Sequence, residues 1–227
     1  YKRMETWDPA GHGGDASWRG RDGPLHVTRG KRDNPLVQAF VQAGRQAGYQ
    51  LTDDYNGQQQ EGFGPMEHTI HKGARWSAAK AYLHPALQRE NCNLIRGLAS
   101  KIVFSGRRAV GVELLAGEGL KTVRAKKEVI LASSSINSPK LLMLSGIGPR
   151  AHLTAHGIQT VADRPGVGQN LQDHLEVYIQ MAASQPVSLF KYWNLFGKAW
   201  VGLQWALTRS GPGASNQFES TGFIRSA

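Results

Sequence analysis

The chain has 227 residues, 40% of them hydrophobic and 19% charged, and its 27 Lys and Arg exceed its 17 Asp and Glu by a formal net charge of +10. Apolar and aromatic residues recur along the whole length, which excludes a disordered or collagen-like chain and indicates an ordinary globular protein. Cys92 is the single cysteine, so a disulfide scaffold is excluded. No apolar run approaches the ~20 residues that a membrane-spanning helix needs.

The basic residues are spread along the chain. A net charge of +10 would suit nucleic acid, acidic substrates or an anionic membrane surface. However, Lys and Arg occur singly or in pairs and never form the runs of about five or more that mark a nucleic-acid-binding tail. We expect no nucleic-acid partner. A basic binding module is kept as the alternative class, and it predicts binding that weakens steeply with salt.

The N-terminal part is predicted to hold one strand and one helix. Residues 1–33 are rich in Gly, Arg and Asp, which predicts a surface loop or lid with a short strand at 25–27. Asn34 is a suitable N-cap, and Pro35 suits the first helical position. Gly48 suits the left-handed residue that ends such a helix.

After this helix the pattern changes to loop and then to a second helix. Gly and Asn predict a loop over 52–65, with stiff irregular backbone at 62–65. Ser77 is expected to cap a helix that continues to residue 83.

The middle of the chain is predicted to be rich in strands. Short β-branched segments separated by Gly-containing turns predict a meander, followed by a strand of the buried type. These strands are expected at 94–95, 102–104, 110–114 and 129–132. The last strand leads into 133–135 and a helix over 139–144, an order that places backbone N–H groups at a ligand's oxygens.

The C-terminal part is predicted to alternate between helix and strand. A short helix over 151–156 stops at Gly157, a rigid turn follows at 165–168, and a strand is expected over 176–183. An apolar helix over 194–208 is predicted to be a core or interface helix, with a membrane-surface helix as the alternative. The alternation favours an α/β or α+β fold.

Two near-matches to the dinucleotide fingerprint G-x-G-x-x-A are interpreted as decoys. The motif works only between a strand and a helix, because the helix N-terminus must face the pyrophosphate. Residues 11–16 lie in a hydrophilic loop. Residues 146–151 follow a predicted helix and carry Pro149 in the turn.

Neither a metal site nor a nucleophile is predicted. His152 and His156 have the spacing of helical metal ligands, but no third ligand is nearby, and a role for His156 at the helix C-terminus is favoured. Cys92 has no cue for activation, and 133–135 lack the glycines of a nucleophile elbow. The densest ionisable cluster, 173–176, remains as a candidate site.

Three segments closely resemble the signatures of one enzyme family. They are GARWS with AYL at 73–83, SPKLLMLSGIG at 138–148 and PGVGQNLQDH at 165–174. In this order and spacing the chain resembles the glucose–methanol–choline (GMC) flavoprotein oxidoreductases over essentially its whole length. Within the family, QEGFGPM at 60–66, HLE at 174–176 and GASNQFE at 213–219 look most like choline-oxidising members, nearer the bacterial than the mitochondrial form.

The resemblance implies an FAD enzyme that oxidises an alcohol by hydride transfer to the flavin. For the choline-oxidising members this means choline to betaine aldehyde, in glycine betaine biosynthesis, with electrons passing to a membrane-linked acceptor. A different alcohol is the alternative within the family. The implied location is the bacterial cytoplasm or the cytoplasmic face of the membrane, or the mitochondrial inner membrane for a eukaryotic source. A homo-oligomer is left open.

The family architecture implies part of a Rossmann-type FAD-binding domain and part of a substrate domain built on an antiparallel sheet. We expect a lid and first substrate-domain excursion over 1–66, the central part of the FAD-binding domain over 67–173, and the start of the main substrate-domain segment over 174–227. The sequence lacks the family's N-terminal fingerprint and its C-terminal catalytic His. We therefore expect an internal fragment of a longer enzyme, inactive alone.

The resemblance also implies residues that bind the cofactor. Ala99 falls at the backbone contact to the adenine ring, and Asn170 is assigned to the cofactor as well. Ser133, Ser134 and Ser135 replace the Gly-Gly-Ala or Ala-Gly-Ala that is common in the family. A position with positive φ in this turn would be strained by a serine.

Two further residues are implied on the substrate side, and neither is a catalytic base. Glu176 matches the glutamate that faces choline's trimethylammonium group in choline-oxidising relatives. A quaternary ammonium has no N–H to donate, so a carboxylate and aromatic rings are what can select it. A surface ion pair is the structural alternative for Glu176. His174 would position the substrate beside the flavin.

Overall fold

The computed structural model describes residues 2–7, 16–31, 33–117 and 119–225. The chain divides into two compact units. The discontinuous unit consists of Tyr1–Asn93 with Gln180–Ala227, and the continuous unit is Leu94–Ile179. Most of the near-match to the dinucleotide fingerprint at 11–16 lies outside the described residues.

The elements of both units follow in chain order. The strands are β1 (Glu5–Trp7), β2 (Leu25–Arg29), β3 (Gly62–Pro65), β4 (Glu67–His68), β5 (Ile70–His71), β6 (Ala74–Arg75), β7 (Leu98–Ser105), β8 (Arg108–Ala116), β9 (Gly119–Arg124), β10 (Ile147–Gly148), β11 (Ala162–Asp163) and β12 (Ser220–Phe223). The helices are α1 (Pro35–Gln46), α2 (His84–Ala86), α3 (Ser134–Leu144), α4 (Arg150–Ala155) and α5 (Leu195–Thr208). A π-helical turn at Ala79–Leu83 precedes α2, and 3₁₀ turns lie at Leu189–Tyr192 and Pro212–Ala214.

The discontinuous unit contains several small sheets. β2 pairs with β1 in parallel and with β4 antiparallel, and β5 pairs with β6 antiparallel. The predicted strand at 25–27 is confirmed by β2. The irregular backbone predicted at 62–65 is wrong, because these residues form β3 and pair antiparallel with β12. The partner strand lies far along the chain, so the local pattern carries no sign of it.

Helix α1 begins and ends where its sequence signals predicted. The Asn34 side chain accepts a hydrogen bond from the Leu36 N–H at 2.9 Å, and Pro35 occupies the first turn. Gly48 follows the helix with φ of 88°. Gly44 packs against the Phe63 ring of β3, where an added Cβ would lie 2.4 Å from a ring carbon. The helix therefore depends on this glycine for its close approach to the strand.

The continuous unit is built around an antiparallel meander of β7, β8 and β9. The meander was predicted, but the described residues 94–95 form no strand, and β9 was not foreseen. Ser145 joins α3 to this sheet. Its buried hydroxyl accepts from the Ile102 N–H at 2.8 Å and donates to the Leu141 carbonyl at 2.5 Å.

Two strand predictions are wrong, one inside the continuous unit and one across the end of that unit. Residues 129–132 and 176–183 are described, and neither forms a strand. Ile130 and Val177 are each 80% exposed. An apolar or alternating pattern favours extended backbone, but a strand exists only with a hydrogen-bonded neighbour. Among the described residues these segments have no ladder partner.

Three further helix ends can be compared with their predictions: the start of α3, the end of α4 and the cap at Ser77. α3 begins at Ser134 rather than 139, so Pro139 lies inside the helix instead of at its start. α4 ends before Gly157, whose φ is 68°, as predicted. The Ser77 hydroxyl accepts from the Lys80 N–H at 3.4 Å, which agrees with the predicted cap.

Helix α5 agrees with its prediction at the N-terminus. The Asn194 side chain accepts from the Gly197 N–H at 2.7 Å. One face of the helix carries Trp205 toward the rest of the unit, while Phe196 and Leu207 on the other face are exposed. Within the described parts of the chain, no helix is long and apolar enough to cross a membrane.

Candidate functional site

Two cavities flank α3 in the continuous unit. The first has a volume of about 300 Å³ and is lined by Ala99 of β7 and by Ser133, together with Asn137, Lys140 and apolar side chains. Ala99 and Ser133 were both assigned to the cofactor from the family resemblance. The structure brings them together because α3 packs along β7 directly after the 133–135 turn.

The second cavity borders a neighbouring face of α3 and has a volume of about 600 Å³. Its lining includes Ser135, Lys140, Met143 and Asn170. Asn170 has φ of 56°, so its backbone is left-handed, a conformation that asparagine tolerates better than most residues. The start of the second signature and the middle of the third therefore face one space.

The turn at 133–135 contains the strained position that the serine substitutions suggested. Ser134 has φ of 73°, in the left-handed region that favours glycine. The Ser133 N–H donates to the Ser138 hydroxyl at 3.0 Å, so this N–H is already occupied within the protein. A ligand would have to displace this bond to reach the Ser133 N–H.

The chemistry of the lining residues fits a nucleotide. In the first cavity, Leu98, Leu141 and Leu144 provide apolar surface for a flat ring system. Ser133 and Asn137 offer hydroxyl and amide groups for a sugar. Among the residues that the structure describes, none with an acidic side chain lines this cavity, so the described wall does not repel an anionic group.

His174 and Glu176 lie on an exposed stretch without helix or strand. The Glu176 carboxylate accepts a hydrogen bond from the Tyr178 hydroxyl, and this bond raises the pKa of Tyr178 above its ordinary value of 10.0. The His174 N–H donates to the Asp173 carboxylate at 2.8 Å. Neither His174 nor Glu176 lines the two cavities beside α3. The structure does, however, place the hydroxyl of an aromatic side chain against the Glu176 carboxylate.

The family-like segments of the discontinuous unit also come together. β3, within the 60–66 segment, pairs with β12, which follows 213–219 directly. The Met66 N–H donates to the Glu219 carbonyl at 3.1 Å. The Glu219 carboxyl lines a cavity of about 420 Å³ together with Asp33. Burial and then repulsion from Asp33 raise the pKa of Glu219.

The first signature has a structural role at its glycine. Gly73 has φ of 69°, and an added Cβ would lie 2.0 Å from the Arg209 carbonyl oxygen at the end of α5. The Trp205 indole N–H donates to the Gly73 carbonyl at 2.6 Å. This signature therefore serves the packing of α5, whichever ligand the protein binds.

A buried ionic cluster was missed by the sequence analysis. Arg19 donates to Glu5 at 2.8 Å, to Asp54 at 2.5 Å and to Glu67 at 2.8 Å, and its guanidinium lies 4.7 Å from the centre of the Trp7 ring. Burial alone would lower the pKa of Arg19, but its hydrogen bonds to the Glu5 and Glu67 carboxylates, together with the negative charges of Glu67 and Asp54, outweigh burial and raise the pKa. The four charges are scattered along the sequence, so no local signal could have identified the cluster.

The decoy motif and the histidine pair can now be compared with their predicted contexts. The near-match at 146–151 follows α3, as predicted, and therefore does not open a helix after a strand in the way a dinucleotide site requires. The His152 and His156 rings lie edge to face, 4.7 Å apart, with His156 at the C-terminal cap of α4. Within the described ranges, no group of three or more His, Cys, Asp and Glu could hold a metal ion.

Solved structures with this fold are flavin enzymes. An FAD-dependent oxidoreductase from Chaetomium thermophilum is similar with a TM-score of 0.80 and 27% identity, covering 96% of this chain and 41% of that one. A formate oxidase from Aspergillus oryzae, solved in a study of FAD modification, is similar with a TM-score of 0.83 and 25% identity, covering 99% of this chain and 40% of that one. The chain has the fold of the FAD-dependent oxidoreductases, which confirms the predicted fold class.

Sequence comparison identifies the family within this class. Residues 1–176 match the family described as GMC oxidoreductase, and the chain belongs to that family. The oxygen-dependent choline dehydrogenase of Brucella ovis is 64% identical over 226 residues, which are 100% of this chain and 40% of that protein. The oxygen-dependent choline dehydrogenase of Rhizobium etli is 57% identical over 227 residues, which are 100% of this chain and 41% of that protein. The chain thus spans about 40% of the length of these curated relatives.

Proposed function

We propose that this chain is part of an FAD-dependent choline dehydrogenase, which oxidises choline to betaine aldehyde for glycine betaine synthesis. The observation that carries the proposal is the 64% identity to an oxygen-dependent choline dehydrogenase over all of this chain. The sequence motifs and the two cavities beside α3 support it independently. A basic nucleic-acid or membrane-binding module would leave these features unexplained.

The continuous unit contributes residues that hold the cofactor. Ala99, at the position of the adenine contact, lines the first cavity together with Ser133, and Asn170 lines the second. Ser134 shapes the turn between them through its left-handed backbone. When FAD is bound, it supplies the acceptor for the hydride that leaves the alcohol carbon.

The substrate's cation is recognised by Glu176. Its carboxylate is paired with the Tyr178 hydroxyl rather than with a basic side chain, so its negative charge is not neutralised by that contact. A carboxylate next to an aromatic ring is the combination that attracts a quaternary ammonium group. His174, two residues earlier, positions the alcohol. No residue of this chain is assigned as the general base.

The remaining parts of the proposal concern organisation and partners. The lid and first excursion comprise 1–66, the FAD-binding part 67–173 and the substrate-domain part 174–227. The electrons pass to a membrane-linked acceptor, and the enzyme works in the bacterial cytoplasm or at the cytoplasmic face of the membrane. The bacterial origin of the choline dehydrogenases to which the chain is similar supports this location.

The role of Glu176 is tested in the full-length protein. The steady-state kcat/KM is measured for choline and for its neutral tert-butyl isostere in the wild type, in Glu176→Gln and in Glu128→Gln, whose side chain is also exposed. We expect Glu176→Gln to lower kcat/KM for choline by about tenfold or more, mainly through KM, because a charge attraction is lost. The isostere should be unaffected by this change, and Glu128→Gln should behave as the wild type.

Two results would contradict this role. Equal losses for choline and the isostere would mean that Glu176 acts through the structure and not through its charge. Equal kcat/KM for choline and the isostere in the wild type would mean that the enzyme does not select the positive charge. The substrate would then be a neutral alcohol, oxidised by the same flavin chemistry.

A further inference from the structure

The outward face of α5 carries an apolar stripe along its whole length. Four large apolar side chains, each between 52% and 86% exposed, follow one another at helical spacing and form this outer stripe: Phe196, Trp200, Leu203 and Leu207. The opposite face is covered by the protein itself, since Trp205 packs against Gly213 and donates to the Gly73 carbonyl. The helix is therefore apolar on both faces, and among the residues that the structure describes nothing covers the outer stripe.

Aromatic side chains continue this surface beyond the N-terminus of α5. Phe190 of the 3₁₀ turn and Trp193 directly after that turn are both exposed. The turn packs against the start of the helix, where an added Cβ at Gly197 would lie 2.7 Å from the Tyr192 Cα. Tryptophan and other amphipathic rings are enriched where proteins meet the headgroup level of a membrane. The exposed aromatic groups therefore suit a lipid surface.

The charges of this part of the chain are all positive. Residues 177–218 contain no Asp or Glu, and their three charged residues are Lys191, Lys198 and Arg209. The Lys198 ammonium lies 4.4 Å from the centre of the exposed Trp193 ring, at the N-terminal end of the outer stripe. Lysine is depleted in protein–protein interfaces, whereas basic side chains beside an apolar helix face are typical of helices that lie on anionic membranes. The charge pattern therefore favours lipid headgroups over a protein partner.

We propose that α5, with the 3₁₀ turn before it, docks the enzyme on the surface of an anionic phospholipid bilayer. The outer stripe enters the boundary between headgroups and acyl chains, and the basic side chains at both ends of the helix contact lipid phosphates. With 14 residues, α5 is too short to span the bilayer and lies on it. This inference rests on the proposed function in one respect, since a membrane-linked electron acceptor requires the enzyme to meet the membrane.

The test uses the full-length holoenzyme with vesicles of phosphatidylcholine mixed with phosphatidylglycerol, or of phosphatidylcholine alone. Partition onto the vesicles is measured by flotation over a range of lipid and salt concentrations. Leu207→Ser removes an apolar side chain from the outer stripe, and Lys198→Gln removes a charge beside it. Leu120→Ser and Lys121→Gln make the same two changes on exposed β9 and are the matched controls. Choline oxidation with a soluble electron acceptor verifies that each variant is folded.

We expect the wild type to bind the anionic vesicles, to bind the neutral ones more weakly, and to lose affinity as salt is added. Leu207→Ser should lower the partition coefficient by about tenfold, because one leucine side chain no longer enters the bilayer. Lys198→Gln should lower it by about fivefold on anionic vesicles. The two β9 variants should bind as the wild type, and the activity with the soluble acceptor should be unchanged. If Leu207→Ser does not fold, Phe196→Ser takes its place.

The inference is overturned if the wild type does not float with the anionic vesicles, or if Leu207→Ser binds them within about twofold of the wild type. A wild type that does not bind, with a Leu207→Ser variant that loses its fold, would mean that the rest of the polypeptide covers the outer stripe. A dimer that dissociates in Leu207→Ser, without vesicle binding by the wild type, would mean that a second copy covers it. A wild type that binds vesicles but does not oxidise choline would instead refute the proposed function.

Discussion

At the scale of single residues, the turn at 133–135 carries a serine in a backbone conformation that favours glycine. Ser134 has φ of 73°, while Ser135 is not among the residues with positive φ. An L-residue in the left-handed region costs about 1–2 kcal/mol, and glycine avoids this at an entropic cost of about 0.5–1 kcal/mol. The family resemblance predicted the site of this strain, since glycine is common at this position in relatives.

Ser134→Gly should therefore stabilise the full-length protein by about 0.5–1 kcal/mol, as measured by urea denaturation. Ser135→Gly, one position further into α3, is the matched control and should destabilise by about 0.5–1 kcal/mol, because it places glycine in ordinary helical backbone. A loss of stability in Ser134→Gly equal to that of the control would contradict the proposed strain.

Glu219 provides a pH dependence with a defined sign. Burial, followed by repulsion from Asp33, raises the pKa of Glu219 above its ordinary value of 4.5. Folding therefore favours the protonated form of Glu219 more than the unfolded chain does. Its contribution to the free energy of unfolding is fully present below pH 4.5 and is lost as the pH rises through the raised pKa.

Glu219→Gln, which stays neutral, should remove this contribution to the pH dependence. The free energy of unfolding of the variant relative to the wild type should increase as the pH rises from below 4.5 toward neutrality. Glu128→Gln, an exposed change of the same kind, serves as the control. A relative stability of Glu219→Gln that falls over the same range would show that the carboxylate form is the favoured one.

At the scale of elements, a helix or strand could be predicted when the residues that stabilise it lie close to it in the sequence. The caps of α1 and α5 lie within three residues of the N–H groups they bind, and both helices were predicted, α1 from its Asn34 cap and α5 from its apolar face. β3 owes its hydrogen bonds to β12, far along the chain, and was predicted as irregular. The segment at 176–183 has the pattern of a strand and, within the described residues, no partner strand, so the same rule failed in the opposite direction.

Two helical glycines that look alike in the sequence should respond oppositely to alanine. In Gly44→Ala the new Cβ would lie 2.4 Å from the Phe63 ring, so α1 must move from β3 at a cost of about 1–3 kcal/mol. In Gly202→Ala of α5 the Cβ meets no atom within 4 Å, and the lower backbone entropy of alanine should add about 0.5–1 kcal/mol. Thermal or urea unfolding of both variants distinguishes them. A gain in stability for Gly44→Ala would refute the close approach of α1 and β3.

At the scale of the whole molecule, the candidate cofactor site was only partly accessible from the sequence. The resemblance assigned Ala99, Ser133 and Asn170 to the cofactor, and the structure distributes them between two cavities that share α3. The Arg19 cluster was hidden, because its four charged members are brought together only by folding of the discontinuous unit.

The chain spans about 40% of the length of its choline dehydrogenase relatives, so the function must be tested on the full-length protein. The most direct measurement is the flavin absorbance of that protein, purified and mixed with choline in the absence of oxygen. The proposed function predicts that bound FAD is present and that choline bleaches its visible absorbance in a single reduction of the flavin, because one choline delivers the two electrons that FAD accepts. A protein that carries no flavin, or whose flavin is reduced by another alcohol but never by choline, would contradict it.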